Sequence, residues 1–235
     1  YVAGYKTKGF TPMHLSVMDG GLDMVEYIYY MSLNYGGMEV FLADTTGKVN
    51  LLSGSQPQLD GLKLSENGKK AAYLDTDANT GDTILVEIEL GKEKAETVAT
   101  NVQSFGYIGN TLIYYFDYTE GVGTLGAAGS KTTIANASGV QFTEDAVYYV
   151  ADADAATGNG ELRAWDGKTE TAIAKDVFAF QYKENGKLVY IGKYDVNAGV
   201  GDLYYYDGKE VTIPLDVRLS PSANAQKYFK EYKKK

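Results

Sequence analysis

An apolar residue followed by tyrosine recurs five times along this chain, and this period constrains the fold more than any other feature. The tyrosines lie 34 to 44 residues apart, at Tyr29, Tyr73, Tyr114, Tyr148 and Tyr190. Short apolar runs bounded by Gly, Asn, Asp or Lys-Gly clusters surround each pair, which is typical of strands joined by hairpins. About 40 residues with four short strands is the size of one propeller blade. The sequence therefore predicts an all-β protein, a β-propeller of four-stranded antiparallel blades.

Five repeats are visible, and a partial sixth begins near the C-terminus. The repeats start near residues 13, 62, 103, 139 and 178. We assign residues 1–217 to the propeller, and residues 218–235 to a basic tail or to the start of a closing blade. The two ends could supply strands of one shared blade, or the chain could be part of a longer protein. Because it begins at Tyr1 rather than Met, we expect a mature protein or a fragment.

Several strands are apolar on both faces, for example Ile84–Val86 and Leu203–Tyr206. Stacked blades require this pattern, because neighbours cover each sheet on both sides, whereas one sandwich would show cleaner alternation. We expect Leu64, Phe142 and Phe180 on innermost strands, with the repeating tyrosines on the next strands outward. Helical periodicity is missing from the body of the chain, and only residues 225–234 are compatible with a short helix.

Two segments carry a resemblance to a known family. Leu64–Tyr73 reads Leu-Ser-Glu-Asn-Gly-Lys-Lys-Ala-Ala-Tyr, and Tyr182–Tyr190 repeats its pattern. Both segments resemble the TolB-like, WD40-like propeller repeat of bacteria, which has a short strand, then Ser-Pro-Asp-Gly-Lys, then an apolar–Tyr strand. Leu203–Gly208 is similar to the Leu-Tyr-x-x-Asp-Gly segment of that family. Glu66 stands in place of the family's proline. The resemblance implies a propeller scaffold, often extracytoplasmic, and implies no particular ligand.

Residue types restrict the possible chemistry. The chain has no cysteine, so disulfides, thiolate metal sites and Cys nucleophiles are excluded. His14 is the only histidine, and no Gly-x-Ser-x-Gly elbow occurs, so we predict no catalytic residues. No stretch approaches 18 consecutive apolar residues, so we expect no transmembrane segment, with any signal peptide or anchor removed.

The net charge of −9 is unevenly distributed. Residues 227–235 carry +4, so the rest of the chain carries −13. An acidic body argues against nucleic acid as the partner, because phosphate binding needs a basic face. The basic tail is interpreted as a solvated chain end, with contact to an anionic surface as the alternative.

The loop after Tyr73 concentrates oxygen-bearing side chains at alternate positions. Asp75, Asp77, Asn79 and Asp82 are the candidate ligands, and calcium is the cation that such a set would take. The spacing departs from an EF-hand, since Gly81 comes one place late and Val86 stands where a glutamate is required. The competing interpretation is ordinary hairpin chemistry, because Asp, Asn and Gly favour tight turns. Calcium aside, no cofactor is predicted.

Acidic residues recur at the same phase of the other repeats. Loops at one phase of a propeller emerge on one side of the disc, so we expect an acidic face suited to cations or a basic partner. Besides the candidate calcium loop, this predicted face comprises Asp117, Glu120, Asp152, Asp154, Asp195 and Asp202.

The leading functional hypothesis is a non-enzymatic, extracytoplasmic propeller that binds a protein or a glycan at the bacterial cell envelope. One alternative is a carbohydrate-active hydrolase or calcium-dependent glycan binder, since paired carboxylates can cleave glycosidic bonds. A second alternative is a structural spacer domain within a larger surface protein. Nucleic acid is not an expected partner.

Overall fold

The computed structural model describes the backbone of residues 12–20, 25–34, 37–44, 49–52, 58–90, 92, 94–213, 223, 226 and 227. Side chains are described for residues 61–90, 92, 95–213, 223, 226 and 227. The chain divides into two compact units. Unit 1 comprises residues 1–147 and 165–170, and unit 2 comprises residues 148–164 and 171–235.

Unit 1 contains three successive groups of four antiparallel strands, each hydrogen-bonded in chain order. The first group consists of β1 (Pro12–Gly20), β2 (Val25–Asn34), β3 (Gly37–Asp44) and β4 (Val49–Leu52). The second consists of β5 (Gln58–Leu64), β6 (Lys70–Thr76), β7 (Thr83–Glu89) and β8 (Lys94–Thr100). The third consists of β9 (Val102–Ile108), β10 (Thr111–Thr119), β11 (Val122–Ala127) and β12 (Thr133–Phe142).

Unit 2 continues the all-β architecture. Its strands are β13 (Val147–Ala151), β14 (Gly160–Trp165), β15 (Glu170–Tyr182), β16 (Leu188–Asp195), β17 (Val200–Tyr206) and β18 (Glu210–Ile213). The last four are hydrogen-bonded in chain order, and the pairings from β15 to β18 are antiparallel. Ala223, Gln226 and Lys227 are helical, and most of the predicted 225–234 helix lies outside the described residues. The all-β class and its antiparallel sheets are thus confirmed: β1–β4 and β5–β8 form separate four-stranded sheets, whereas β9–β12 belong to a longer sheet.

The predicted burial of both faces is clearest in β6 of unit 1. Ala71 and Tyr73 pack into one apolar cluster with Ile88, while Ala72 between them packs into another with Leu85. Successive side chains of a strand point to opposite faces, so the two clusters lie on the two sides of one sheet. The second cluster includes Leu112 of β10, and therefore joins this sheet to the next.

A carboxylate also connects these two sheets. Glu87 on β7 accepts hydrogen bonds from Lys70 Nζ and from the Tyr107 hydroxyl, both at 2.8 Å. Burial, followed by the charge of Glu87, raises the pKa of Tyr107. The protonated phenol is the donor in this hydrogen bond, which joins β9 to β7.

The segment Leu64–Tyr73 contains a closed turn between β5 and β6. Ser65 is 3% exposed, and its hydroxyl accepts from Lys70 N at 3.0 Å and donates to Asn67 Oδ1. Gly68 supplies the left-handed residue, with φ of 63°. Thr143 Oγ1 makes the equivalent contacts, donating to Ala146 O at 2.7 Å and accepting from Ala146 N at 3.2 Å. The hydroxyl groups of Ser65 and Thr143 therefore close turns between strands.

A left-handed residue recurs where the chain passes from one repeat to the next. Asn101 lies between β8 and β9 with φ of 55°, and Asn136 within β12 and Asp176 within β15 have the same φ. Sixteen or seventeen residues later come left-handed Asp117, Asp152 and Lys193. The strand registers shift near these positions, as expected for β-bulges.

Substitution of Asn101 tests whether the backbone is left-handed at this position. Both Asn101→Gly and Asn101→Ala lose the side-chain hydrogen bond to Asp117 Oδ1, but only Ala is strained at positive φ. We expect the Ala variant to be less stable than the Gly variant by about 1 kcal/mol, measured by urea unfolding. Equal stability of the two variants would contradict a left-handed Asn101.

Candidate functional site

Three hairpins share one five-residue loop that begins with Asp and ends with Gly. The loops are Asp77–Gly81 between β6 and β7, Asp154–Gly158 between β13 and β14, and Asp195–Gly199 between β16 and β17. In each, the final glycine has φ between 67° and 79° and donates its N–H to the carbonyl of the aspartate. The recurrence shows that the same loop conformation closes all three hairpins.

The aspartate carboxylates are the caps of these loops. Asp77 Oδ1 accepts from Asn79 N at 2.7 Å and Thr80 N at 3.2 Å. Asp154 Oδ1 accepts from Ala156 N at 3.1 Å and Thr157 N at 2.9 Å. This is Asx-turn chemistry, in which a short carboxylate satisfies backbone donors that the turn leaves without strand partners.

The third loop has the same hydrogen bonds as the other two. Asp195 Oδ1 accepts from Asn197 N at 2.9 Å and Ala198 N at 3.1 Å. Backbone hydrogen bonds hold the pKa of Asp77 and of Asp154 below the usual value, because they stabilise the charged form.

The four candidate calcium ligands have different surroundings. Asp75 is 2% exposed and accepts from Thr76 N at 2.7 Å, whereas Asp77 caps the loop. Asn79 and Asp82 are exposed at the surface, and their backbone N–H groups bond within the hairpin. Among the side chains that the structure describes, no three His, Cys, Asp or Glu groups form a cluster that could hold a metal. Calcium binding by this loop stays a prediction.

The predicted acidic face is distributed over both units. In unit 1, Asp117 accepts from Asn101 Nδ2 at 3.1 Å, and Glu120 is exposed in the hairpin after it. In unit 2, Asp202 accepts from the Tyr204 hydroxyl at 3.1 Å and lies 3.9 Å from Lys193 Nζ.

Asp152, Asp154 and Asp195 are exposed on the hairpins of unit 2. Within each unit, the acids thus lie on equivalent hairpins. A single face spanning the whole chain stays a prediction. His14 lies in β1, and its side chain is outside the described residues.

Sequence reasoning missed a partly exposed aromatic pair in unit 2. Phe178 of β15 is 39% exposed and stacks on Tyr194 of β16, with ring centroids 4.1 Å apart and planes 24° apart. Tyr194 directly follows left-handed Lys193, and Phe178 lies where the register between β15 and β16 shifts. The irregular register brings the two rings together and leaves Phe178 exposed, which alternation of residue types along a strand does not indicate.

The neighbouring hairpin holds the pair in place. Asn159 Nδ2 donates to Tyr194 O at 2.9 Å, and Tyr194 N donates to Asn159 Oδ1 at 3.2 Å. Gly158 lies directly against Phe178, because a Cβ at that position would be 2.9 Å from the ring. The aspartate-capped loop 154–158 therefore supports the aromatic pair as well as closing its own hairpin.

Exposed aliphatic residues adjoin the aromatic pair. Ile191 is 37%, Val196 52% and Val200 61% exposed. A Cβ at Gly201 would contact both Ile191 and Tyr194, at 2.8 and 3.2 Å. We name Phe178, Tyr194 and Ile191 the aromatic site. In unit 1, exposed Tyr118 follows left-handed Asp117 just as Tyr194 follows Lys193.

Comparison with known proteins gives short or distant similarities. A family model described as NFACT N-terminal and middle domains matches residues 170–235, less than a third of the chain. The Rqc2 homolog RqcH of Streptococcus suis (strain 05ZYH33) is 67% identical over 30 residues, which cover 13% of this chain and 5% of that protein.

Solved structures match over longer stretches but at low identity. An acylaminoacyl peptidase in complex with Z-Gly-Gly-Phe-chloromethyl ketone is 13% identical with a TM-score of 0.48, over 90% of this chain and 40% of that one. The β-propeller domain of the Trilobed protease from Pyrococcus furiosus is 12% identical with a TM-score of 0.48, over 85% and 71%. TolB from Acinetobacter baumannii is 14% identical with a TM-score of 0.39, over 77% and 49%.

The calcium hypothesis is tested by thermal melts in CaCl₂ and NaCl at matched ionic strength. We expect equal melting temperatures, because the carboxylate of Asp77 already satisfies the loop backbone and diffuse acidity responds only to screening. The control is the double variant Asp75→Asn/Asp77→Asn, in which each amide keeps an acceptor oxygen. A calcium-specific rise that the double variant loses would instead establish a calcium site.

The cap at Asp154 predicts a pH dependence. Its pKa is lower in the folded protein than in the unfolded chain, where it is about 3.9. The stabilisation is therefore complete above that value and is lost as pH falls through the folded pKa. We expect unfolding free energy to fall more between pH 5 and pH 2.5 in the wild type than in Asp154→Asn, which keeps the acceptor without the charge. Identical pH profiles would contradict this role.

Proposed function

We propose that this chain is a TolB-like propeller module that binds a protein or a glycan at the bacterial cell envelope, outside the cytoplasm, and catalyses no reaction. The aromatic site of unit 2 is the observation that carries the proposal. A partly exposed aromatic pair that its neighbours hold in position suits recognition of a ligand, since exposed apolar groups that cluster together mark binding surfaces.

Preorganisation is the physical basis of this argument. The two rings are stacked before any ligand arrives, and hydrogen bonds from Asn159 hold the strand beneath Tyr194. Binding to such a site costs little side-chain entropy, because the rotamers are already restricted. Aromatic side chains supply a large contact area, and the tyrosine hydroxyl adds a polar group for orientation.

The acidic loops beside the pair favour particular ligand chemistry. Asp195 is exposed and follows Tyr194 directly, and Asp154 caps the loop that contacts Phe178. Carboxylates next to an aromatic face suit a ligand with an apolar surface bordered by hydrogen-bond donors. Sugar rings have such a surface, and so do protein segments with Lys or Arg beside apolar side chains.

The structural roles of the acids support a binding module over a hydrolase. Asp77, Asp154 and Asp195 each direct a carboxylate oxygen to backbone N–H groups of their own loop. An acid in a hydrolytic pair needs its oxygens directed at substrate or water.

No helix among the described residues is long and apolar enough to cross a membrane.

The test compares a double variant of the aromatic site with a matched exposed aromatic. Purified peptidoglycan sacculi serve as the glycan probe, in cosedimentation, and a purified envelope-protein fraction serves as the protein probe. We expect Phe178→Ala/Tyr194→Ala to weaken binding by about thirtyfold to one of the probes, the loss typical of truncated interface hot spots. Tyr118→Ala, the equivalent position in unit 1, should bind like the wild type.

Each other outcome has a definite meaning. Binding that the double variant retains in full contradicts the aromatic site, and wild-type protein that binds neither probe favours the spacer alternative over the proposal. Release of soluble sugar from the sacculi would favour the hydrolase alternative. Thermal melts of each variant confirm that a loss of binding does not come from unfolding.

A further inference from the structure

Two acidic hairpins meet at the aromatic site of unit 2. The Asp154 N–H donates to Asn159 O at 2.9 Å, and the side chain of Asn159 bonds to both backbone groups of Tyr194. Asp195 directly follows Tyr194 in the chain. A short series of hydrogen bonds therefore holds both capping aspartates, Asp154 and Asp195, close to the same tyrosine.

Each of these two carboxylates uses only one oxygen to close its loop. Oδ1 of Asp154 and Oδ1 of Asp195 accept the backbone N–H groups, and no hydrogen bond from the described residues reaches Oδ2 of either. Hydrogen bonds from Thr157 and then Ala156 lower the pKa of Asp154, so its carboxylate is charged at neutral pH. The loops thus fix two charged groups in orientation and leave one acceptor oxygen of each for a ligand.

The charge around the aromatic site is negative. Residues 151–160, 174–178 and 191–202 contain two exposed lysines, Lys175 and Lys193, and five exposed aspartates: Asp152, Asp154, Asp176, Asp195 and Asp202. Lys193 Nζ lies 3.9 Å from Asp202 and 6.0 Å from the centre of the Tyr204 ring, so this lysine already has partners. The balance of −3 favours a cationic ligand over a neutral or anionic one.

The aromatic pair adds an apolar surface to this negative charge. Phe178 is 39% exposed, although Tyr194 stacks on one face of its ring. Ile191 belongs to the last sheet of the chain, which β15 to β18 form, and it is 37% exposed beside Tyr194. A cation that lies over an aromatic ring is attracted by the ring electrons. Ring, carboxylates and aliphatic side chain together suit a cationic side chain with an apolar neighbour.

Arginine meets these requirements better than lysine or a sugar. Its planar guanidinium lies flat on aromatic rings while its N–H groups donate to carboxylates, whereas the ammonium of lysine is a compact and strongly hydrated charge. A neutral sugar gains nothing from the charge of the acids, and an anionic glycan is repelled by it. The charge of the site therefore favours protein over glycan.

We propose that the aromatic site binds an arginine side chain of a partner protein, with the guanidinium on the exposed part of Phe178. Its N–H groups donate to Asp154 and Asp195, and an apolar residue next to the arginine packs on Ile191. This inference rests on the proposed function, because it names the ligand of the same site. The two are separable by experiment, since the proposed function also holds for a glycan.

Nuclear magnetic resonance titration of the full chain tests the ligand class. The probes are three peptides, acetyl-Ala-Leu-X-Leu-Ala-amide, in which X is arginine, lysine or citrulline. Citrulline has the length and the planar end of arginine but no charge. We expect the arginine peptide to shift the amide signals of Gly158 and Tyr194, and the citrulline peptide to bind at least about tenfold more weakly, because it lacks the cation–π attraction and the charge-assisted hydrogen bonds. The lysine peptide should lie between them.

Charge variants separate a specific site from general attraction. Asp154→Asn/Asp195→Asn keeps an Oδ1 acceptor for each loop but removes both charges, and it should weaken binding of the arginine peptide about tenfold. The matched control is Asp77→Asn/Asp82→Asn, which removes the same charge from a hairpin of unit 1 and should bind like the wild type. Thermal melts confirm that each variant is folded.

The other results overturn the inference. Equal affinity for the arginine and citrulline peptides would mean that charge does not contribute, and equal losses in the two double variants would mean diffuse attraction. A lysine peptide that binds as tightly as arginine would exclude recognition of the guanidinium.

Failure of this inference is distinguishable from failure of the proposed function. If the arginine peptide leaves the signals of the site unchanged while sacculi bind and Phe178→Ala/Tyr194→Ala loses that binding, the inference is wrong and the proposed function stands with a glycan as ligand. If the peptides, the sacculi and the envelope proteins all fail to bind, both are wrong.

Discussion

A thin sheet with apolar residues on both faces must be covered on both faces, and the architecture of this chain depends on that requirement. β6 shows it at single-residue resolution, because Ala71, Ala72 and Tyr73 are all fully buried although they alternate between two sides. Full burial of one large apolar side chain contributes about 1.5–3 kcal/mol to the free energy of folding. Repeats of this kind are stable only in contact with their neighbours, which is why the period matters more than any single strand.

The hairpins meet a different constraint, since a tight turn leaves backbone donors without strand partners. Asp77, Asp154 and Asp195 satisfy them with a side-chain oxygen, and each loop ends with a left-handed glycine. Acidic residues at one phase of the repeat are therefore explained first by local backbone chemistry. The same loops then gain a second role in unit 2, where the 154–158 hairpin supports Phe178 and Tyr194.

The last sheet shows how one architecture produces two kinds of surface. One face is a packed layer of tyrosine and leucine, while the opposite face carries Ile191, which is 37% exposed, and Val211, which is 50% exposed. The aromatic site shares Ile191 with that opposite face.

The sequence by itself determined the class of structure. Strand length, the Tyr73–Tyr114–Tyr148–Tyr190 period and apolar runs such as Ile84–Val86 are local patterns, and local patterns carry the information for strands, hairpins and stacked sheets. The turn at Ser65 and the aspartate loops were also readable, because a turn is closed by residues within a few positions of one another. Only the tertiary structure decided which side chains reach solvent together. Phe178 and Tyr194 meet because β-bulges at Asp176 and Lys193 change the direction of their strands, and a bulge depends on pairing between residues far apart in the chain. The exposure of Val211 likewise depends on what lies across its sheet, and no pattern within four residues of β18 records that.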